Sequence, residues 1–202
     1  MGAQLPQSIT RSLESLAAAA NNNKQPDAHP LPLLRIHFPE VTVTTPGTDV
    51  SIPAAAPTPT LSLSSSAIKP GTNKKYIAFS IDLDAPFPSW PILGPILHGI
   101  QTDLVVVADG AEGGGFVPLE AKTKEWRVVY RGPGPPRPSA PHRYVFLLFE
   151  QPEGVNGEKV DEVLGMGAGA GLWARIRWDQ GAAERKLGLG EVVAVNYFVS
   201  HG

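Results

Sequence analysis

The chain contains no cysteine, which excludes disulfide bonds, thiol catalysis and a cysteine zinc site. Charged residues are sparse, the formal net charge is −2, and lysine and arginine form no cluster along the sequence. This pattern indicates neither nucleic acid nor an anionic membrane surface as a partner. The glycines of residues 165–171 have the wrong spacing for a dinucleotide loop, and no set of metal ligands is evident. We therefore predict no metal and no cofactor.

Long apolar runs are also missing. Residues 16–20 are too short for the apolar part of a signal peptide, and Pro6 stands where a myristoylation motif has serine or threonine. No Asn-x-Ser/Thr sequon occurs. We therefore expect a cytoplasmic protein that is not an integral membrane protein.

Glycine and proline are abundant, with 21 of each in 202 residues, which is typical of a loop-rich β domain. Near the N-terminus, Ile9, Leu13 and Leu16 share one helical face, and Ser8 is a candidate cap. We therefore divide the chain into an N-terminal helix with a linker, residues 1–30, and one domain, residues 31–202. Outside the two segments described next, the pattern predicts strands at 33–43, 61–65, 104–108 and 192–199, an irregular loop at 45–59, and helices at 158–164 and 179–187.

The first of two informative segments is residues 76–84, where apolar side chains alternate with smaller and polar ones. A period of two predicts a strand and puts Asp82 and Asp84 on the same face. Because proline cannot donate a ladder hydrogen bond, Pro86 should end the strand at the rim of a sheet. We expect Asp84 to cap the turn that follows.

The second informative segment is residues 142–150. The same period places His142 and Tyr144 on one face and Arg143 on the other, where its guanidinium can bind a carboxylate or loop carbonyls. Pro136 precedes the segment, so this strand should also begin at a rim. Both segments therefore place polar side chains beside a rigid proline turn, which is how a small polar pocket is built on a β scaffold.

These two segments resemble the motifs of the phosphatidylethanolamine-binding protein family, also called the Raf kinase inhibitor protein family. The tail at residues 187–198 looks like the last strand of that family, especially in its fungal members. The first family motif is Asp-Pro-Asp-Ala-Pro with a histidine fourteen residues past the second aspartate, and Asp84 and His98 keep that spacing. The second is Gly-x-Gly-Pro-Pro followed by His-Arg-Tyr, which the chain matches from Gly132 to Pro136 and from His142 to Tyr144.

The resemblance implies a mostly β fold with a few short helices, in which a large central antiparallel sheet is accompanied by a smaller sheet. It also implies one small cavity that accepts phosphate-like anions or a phospholipid head group, with His142 at its edge. The candidate ligand-binding residues are Asp82, Asp84, Pro86, His98, Gly132, Gly134, Pro136, His142 and Tyr144.

The chemistry of these residue types is consistent with such a cavity. Two histidines offer N–H donors to an anion, and a nearby carboxylate fixes which ring nitrogen carries the proton. Gly132 and Gly134 let backbone N–H groups approach a ligand closely. An aspartate in the wall repels a dianion, so we expect a head group with its own donor, such as phosphoethanolamine, or a partly protonated acid.

The chain departs from the family pattern at several positions. Leu83 replaces the proline between the aspartates, and Ile96 and Gly99 stand where the family has aromatic residues, which should enlarge or reshape the cavity mouth. The sequence stops at Gly202, just after the last predicted strand, whereas animal relatives continue into a C-terminal helix that covers the pocket. We expect that helix to be lacking here and its place to be empty or taken by the N-terminal helix or residues 154–171.

Two classes of function follow from the resemblance. The first is a binding or regulatory module that acts through a protein partner, since relatives inhibit kinases or, in fungi, a serine carboxypeptidase. The alternative is a cyclase or accessory enzyme of fungal polyketide pathways of the maleidride type, because family members occur there. In that case Asp82, His98 and His142 would supply the general acid and base. The sequence leaves this choice open.

Overall fold

The computed structural model describes residues 5–20, 31–68, 73–107, 114–121 and 126–202, and in these ranges β-strands dominate. The mostly β fold with few helices is therefore confirmed. The strands are β1 Leu34–His37, β2 Thr42–Val43, β3 Thr48–Asp49, β4 Thr60–Ser64, β5 Lys75–Asp82, β6 Ile96–Val106, β7 Phe116–Ala121, β8 His142–Glu150 and β9 Val192–Ser200. The helices are α1 Gln7–Ala20, α2 Ile52–Ala55, α3 Gly157–Leu164, α4 Leu172–Arg175 and α5 Gln180–Leu187, with a short 3-10 turn at Ser65–Ala67.

The strands are hydrogen-bonded in the order β2-β1-β4-β7-β6-β5-β8-β9-β3. Neighbours are antiparallel except for β3, which pairs parallel with β9. The expected smaller sheet corresponds to β2, β1 and β4, but β7 joins these strands to the large sheet through hydrogen bonds with β4 and β6. The central strands β5, β6, β8 and β9 carry the motifs, and they are the part of the sheet that positions the candidate site.

Two hydrophobic cores lie on the two faces of the central strands. On one face, Ala78 and Phe146 pack with residues of β1 and β4, among them Ile36. On the other face, Phe79 and Leu147 pack in one apolar cluster with residues of α1, α3 and α5. Because both faces are buried, β8 is apolar at nearly every position, whereas a half-exposed strand would alternate.

The N-terminal helix α1 packs onto the second core, with Ile9 and Leu16 buried. Ser8 does not cap it, because the helix already begins at Gln7 and the Ser8 hydroxyl donates to the Glu184 carboxylate at 2.7 Å. Most of the predicted linker, residues 21–30, lies outside the described residues. The division at residue 30 stays a prediction.

Several predicted elements are confirmed and others need correction. Strand β8 and helices α3 and α5 match their predicted positions, and α5 has Asp179 as its N-cap and left-handed Gly188 after its last residue. The predicted strand at 33–43 is instead a hairpin, β1 and β2, with its turn at residues 38–41. The predicted irregular loop at 45–59 contains β3 and α2. Strand β7 and helix α4 had not been predicted.

Candidate ligand-binding site

A cavity of about 340 Å³ lies at the rim where β5 ends and β6 and β8 begin. The loops at 85–86 and 131–136 and the segment at 172–176 complete its wall. Seven of the nine predicted residues line it: Asp82, Pro86, His98, Gly132, Gly134, Pro136 and His142. Two of the nine, Asp84 and Tyr144, are not among the residues that line it.

Asp82 and His142 form a buried pair in the cavity wall. The His142 Nδ1 lies 2.9 Å from the Asp82 Oδ2, and the side chains are only 1% and 5% exposed for His142 and Asp82. The His142 Nε2 lies 3.1 Å from the Pro86 carbonyl and 3.1 Å from the Ser139 hydroxyl, so each ring nitrogen of the protonated ring has an acceptor within reach. Burial opposes the charged ring, but the hydrogen bond and charge of Asp82 outweigh it and raise the pKa of His142.

The pairing changes the role predicted for His142. Since both of its nitrogens donate to groups of the protein, no N–H remains for a ligand. His142 therefore holds the Asp82 carboxylate in place and adds a positive charge to the wall. The expectation that it donates directly to an anion needs correction.

His98 stands in the opposite protonation state. Its Nδ1 donates to the Arg131 carbonyl at 2.5 Å, which leaves Nε2 as the ring nitrogen without a hydrogen bond to the described part of the chain. Burial lowers the pKa of His98, and the nearby Asp82 charge only partly compensates. The neutral ring therefore presents an acceptor at Nε2, whereas the sequence predicted a donor.

Asp84 faces away from the cavity. Its carboxylate accepts from Arg143 at both oxygens, from Nη2 at 2.7 Å and from Nε at 2.9 Å, and it also accepts from the Arg143 amide. The bidentate role predicted for Arg143 is confirmed. Asp84 lies beyond the end of β5, and its amide donates to the Asp82 Oδ1 at 2.8 Å. Asp82 is therefore the residue that caps the turn, and the two carboxylates do not share a face.

Tyr144 packs directly behind the cavity. Its ring lies 5.1 Å from the His98 ring in an edge contact and stacks on His142 at 6.4 Å. The hydroxyl is buried and has no hydrogen-bond partner of normal geometry within the described ranges. Burial, followed by the charge of Asp82, raises the pKa of this hydroxyl. Tyr144 thus fixes the two histidine rings by contact.

The two glycines of the second motif differ in how tightly the surrounding structure constrains them. A Cβ at Gly132 would lie 2.6 Å from the Ala56 Cα and 3.1 Å from the Ala55 carbonyl oxygen, so this position must be glycine for the chain to pass α2. Around Gly134 nothing lies within 4 Å of such an atom. Both glycines line the cavity, and the close approach of their backbone to a ligand stays a prediction.

Gly132→Ala should destabilise the fold by about 2 kcal/mol, because a backbone atom must shift to admit the methyl group. This corresponds to a melting temperature lowered by roughly 4–8 °C for a chain of this size. Gly134→Ala is the matched control and should change stability by less than about 0.5 kcal/mol. Thermal unfolding of both variants measures this difference. Equal melting temperatures would show that the loop at 131–136 can relax freely where it passes α2.

The sequence did not indicate two arginines that line the cavity. Arg175 is only 1% exposed and donates to four backbone carbonyls, those of Ala170, Leu97, His98 and Val129, at 2.9–3.5 Å. Burial and the neighbouring Arg131 lower the pKa of Arg175 to about 10. No carboxylate partner of Arg175 exists among the described residues. Arg131 could have been suspected from its position before Gly132, but Arg175 has no motif around it.

The departures from the family pattern have different effects. Ile96 lines the cavity, as expected. Gly99 is instead buried, and a Cβ there would lie 2.6 Å from the Trp126 ring, so its small size admits Trp126 to the core and does not open the mouth. Neither α1 nor residues 154–171 line the cavity, so neither replaces the C-terminal helix that covers it in animal relatives. Leu172, Arg175 and Ile176 form part of the cavity wall instead. Helix α1 packs on the second core, on the other face of the central strands.

Within the described ranges, no group of three histidine, aspartate or glutamate side chains could hold a metal ion. Those ranges also contain no helix of the length and apolar character needed to cross a bilayer.

A family model described as phosphatidylethanolamine-binding protein matches residues 29–198. The chain belongs to the phosphatidylethanolamine-binding protein family. Among members with solved structures, it is similar to carboxypeptidase Y inhibitor complexed with its cognate proteinase, with a TM-score of 0.68, 22% identity and 95% of each chain covered. The family protein from Plasmodium vivax gives a TM-score of 0.59 at 18% identity, covering 92% of this chain and 96% of that one. At these identities the likeness shows the fold.

Two of the sequence relatives are fungal proteins. Carboxypeptidase Y inhibitor of Saccharomyces cerevisiae is 32% identical over 146 residues, which are 65% of this chain and 62% of that protein. Phomoidride biosynthesis cluster protein N of Talaromyces stipitatus is 31% identical over 130 residues, which are 62% and 59%. The matches thus span about three fifths of the length of these curated relatives.

Proposed function

We propose that this family member is a binding module that holds a small phosphate-type anion or a phospholipid head group in the rim cavity. The observation that carries the proposal is Arg175, a buried guanidinium in the cavity wall without a carboxylate partner in the described part of the chain. Arg131 adds a second positive charge. The Asp82 carboxylate is balanced by His142, so the wall has a net positive charge. A buried unpaired charge is costly, and an anion in the cavity offsets that cost.

The ligand should also carry a donor. The neutral His98 offers an acceptor at Nε2, which suits a protonated phosphate oxygen or an ammonium group. An anion without a proton, such as sulfate, can bind beside His98 favourably only if the ring takes up a proton. This proton uptake becomes harder as the pH rises from about 6 to about 8, and the lowered pKa of free His98 adds to its cost.

Isothermal calorimetry at pH 6, 7 and 8 with inorganic phosphate, phosphoethanolamine and sulfate tests this proposal. We expect sulfate affinity to fall by up to about tenfold per pH unit, since one proton is taken up with the anion. His98→Ala should remove this pH dependence. Arg131→Gln should weaken all three ligands about tenfold, whereas the exposed Arg185→Gln on α5 should not. Binding of none of the three, or binding that ignores both His98 and Arg131, would overturn the proposal.

A protein partner is the second part of this proposal. The relative carboxypeptidase Y inhibitor is complexed with its cognate proteinase in its crystal structure. We extend this to a serine carboxypeptidase as the partner of the present chain. The residual peptidase activity of carboxypeptidase Y, titrated with the purified protein, measures the inhibition. Full activity at a large excess of protein would remove this partner from the proposal.

A second candidate function, an accessory enzyme of polyketide assembly, is favoured by the same neutral imidazole. The His98 Nε2 lone pair could accept a proton from an acidic C–H bond while Arg131 and Arg175 stabilise the negative charge left on the substrate. Citraconate in D2O is a suitable probe, because deuterium would replace its acidified methyl protons. Exchange that depends on His98 supports the enzyme, and binding without exchange supports the binding module.

A further inference from the structure

A second polar cavity, of about 390 Å³, lies between the N-terminal helix and the end of α5. Glu184 of α5 and residues 190–192, which lead into β9, form one side of it. Helix α1 forms the other side with three serines and one arginine at helical spacing, namely Ser8, Arg11, Ser12 and Ser15. We call this space the helix cavity, and its volume is within the range of small-molecule sites.

The helix cavity is separate from the rim cavity. Strand β9 begins beside the helix cavity at Val192 and ends at Ser200, which pairs with His142 at the rim. Nine residues of strand span about 25 Å. The two cavities share no lining residue, so a ligand in one does not contact the other.

The Ser12 hydroxyl is the group that indicates a ligand here. Ser12 lines the helix cavity but is 0% exposed, and its Oγ has no hydrogen-bond partner in the described part of the chain. A serine inside a helix usually lies exposed to water or donates to the carbonyl four residues earlier, and Ser12 does neither. A buried hydroxyl without a partner is costly, and an acceptor bound in the cavity would remove that cost.

Charged groups of both signs surround this hydroxyl. Arg11 and Glu191 are exposed, and neither has an ion-pair partner within the described ranges. Glu184 accepts from the Ser8 hydroxyl at 2.7 Å through Oε1, which leaves Oε2 for a ligand. The Ser15 Oγ accepts from the Leu31 amide at 2.8 Å, so its own proton can still be donated. The wall therefore offers donors on α1 and carboxylates on the opposite side.

We infer that the helix cavity binds an aliphatic α-amino acid. Its carboxylate accepts from Arg11 and from the Ser12 hydroxyl, and its ammonium group lies against Glu184 and Glu191. An amine without a carboxylate would leave the Ser12 hydroxyl unpaired. An anion without an ammonium group would meet two glutamates and no cation of its own.

The side chain of the amino acid should be apolar. Leu31 and Val192 also line the helix cavity, and they provide apolar contact between the two polar sides. A bound amino acid would bridge α1 to α5 and β9, so it should raise the melting temperature of the chain. The inference uses no residue of the rim cavity and does not rest on the proposed function.

Isothermal calorimetry of the full chain at pH 7 with three matched probes tests the inference. The probes are leucine, 3-methylbutylamine, which lacks only the carboxylate, and 4-methylpentanoate, which lacks only the ammonium group. We expect leucine to bind and to raise the melting temperature, and each of the other two to bind at least tenfold more weakly. No binding of leucine removes the site, and an amine that binds as tightly as leucine shows a simple cation site instead.

Ser12→Ala separates a ligand-binding hydroxyl from a structural one. The variant should bind leucine at least tenfold more weakly, while its melting temperature stays the same or rises, because an unpaired buried hydroxyl is replaced by the best helix former. Its affinity for inorganic phosphate should not change. Full leucine affinity in Ser12→Ala, or a lower melting temperature, would contradict the role inferred for the hydroxyl.

Two exposed charges provide variants that leave the core intact. Arg11→Gln and Glu191→Gln should each weaken leucine binding about tenfold. The matched controls Arg185→Gln on α5 and Glu14→Gln on α1 lie outside the lining of the helix cavity and should bind leucine as the wild type does. Leucine binding that is the same in all four variants would place the amino acid elsewhere on the molecule and overturn the inference.

Discussion

Replacing Asp82 with asparagine should lower the free energy of unfolding by about 3 kcal/mol near pH 6, because it removes one partner of a buried ion pair. The corresponding fall in melting temperature is roughly 6–12 °C. The substitution is nearly isosteric, so the loss reports the charge and the hydrogen bonds rather than a cavity. His142, which is 1% exposed, would then be a buried ring without a carboxylate.

The effect should depend on pH in a defined direction. In the wild type the pKa of His142 is raised above its ordinary value of 6.5, so its contribution is fully present below pH 6.5 and is lost as the pH rises through the raised pKa. In the variant both contributions of Asp82 are lost, and burial of His142 is opposed only by the Asp84 charge and the Pro86 carbonyl. The pKa of His142 therefore falls relative to the wild type, and the variant gains less stability from protonation of this ring as the pH falls. The difference between the two proteins should therefore widen from pH 8.5 to pH 6.

The matched control is Asp49→Asn, which breaks a pair of the same residue types on the surface. The Asp49 Oδ2 lies 3.3 Å from the His201 Nε2, and both side chains are about half exposed. This pair should contribute less than about 1 kcal/mol. Chemical denaturation of both variants at the two pH values measures the contrast. Equal losses, or a difference for Asp82→Asn that does not change with pH, would contradict the buried ion pair.

Much of the fold follows from local patterns. Strand β8 was predicted with its observed limits, because a dense apolar run begins after a proline-rich turn. Helix α5 was predicted because Asp179 and Gly188 mark its two ends. The hairpin of β1 and β2 was missed, since its turn contains Phe38 and Val41 and therefore resembles continuous strand. Strand β7 was missed because Pro118 lies within it, and sequence rules place proline outside central strands.

The candidate site, like the fold, could be predicted from the sequence only in part. Seven lining residues were placed by the two motifs, whose spacing brings three strand ends to one rim. Arg175 could not be found this way, because it meets the His98 carbonyl across 77 positions in sequence. The roles of the histidines were also beyond the sequence, since the partner of one ring nitrogen decides whether the other donates or accepts. His98 donates to a carbonyl and His142 donates to two acceptors.

Arg175→Met should be the other strongly destabilising substitution, and two opposing effects decide its size. Burial and the neighbouring Arg131 lower the pKa of Arg175 to about 10 from 12.5, so holding its charge at this position costs about 3 kcal/mol, which methionine recovers. Against this, at least three backbone carbonyls lose a charged donor at 2.9–3.1 Å. Each loss costs about 1–3 kcal/mol when the acceptor stays buried. The lost hydrogen bonds outweigh the recovered charge, and we expect a net loss of about 3 kcal/mol.

Arg177→Met is the matched control, two positions further along the same segment. Arg177 is exposed and its side chain donates only to the Ile92 carbonyl in the described structure, so the change should cost less than about 1 kcal/mol. Arg175→Met should also weaken phosphate binding more than tenfold, since the cavity loses both a positive charge and the bonds that hold α4 against β6. Denaturation and calorimetry on both variants check this. An Arg175→Met protein that is as stable as wild type and binds phosphate equally well would show that the buried cation serves neither the fold nor the ligand.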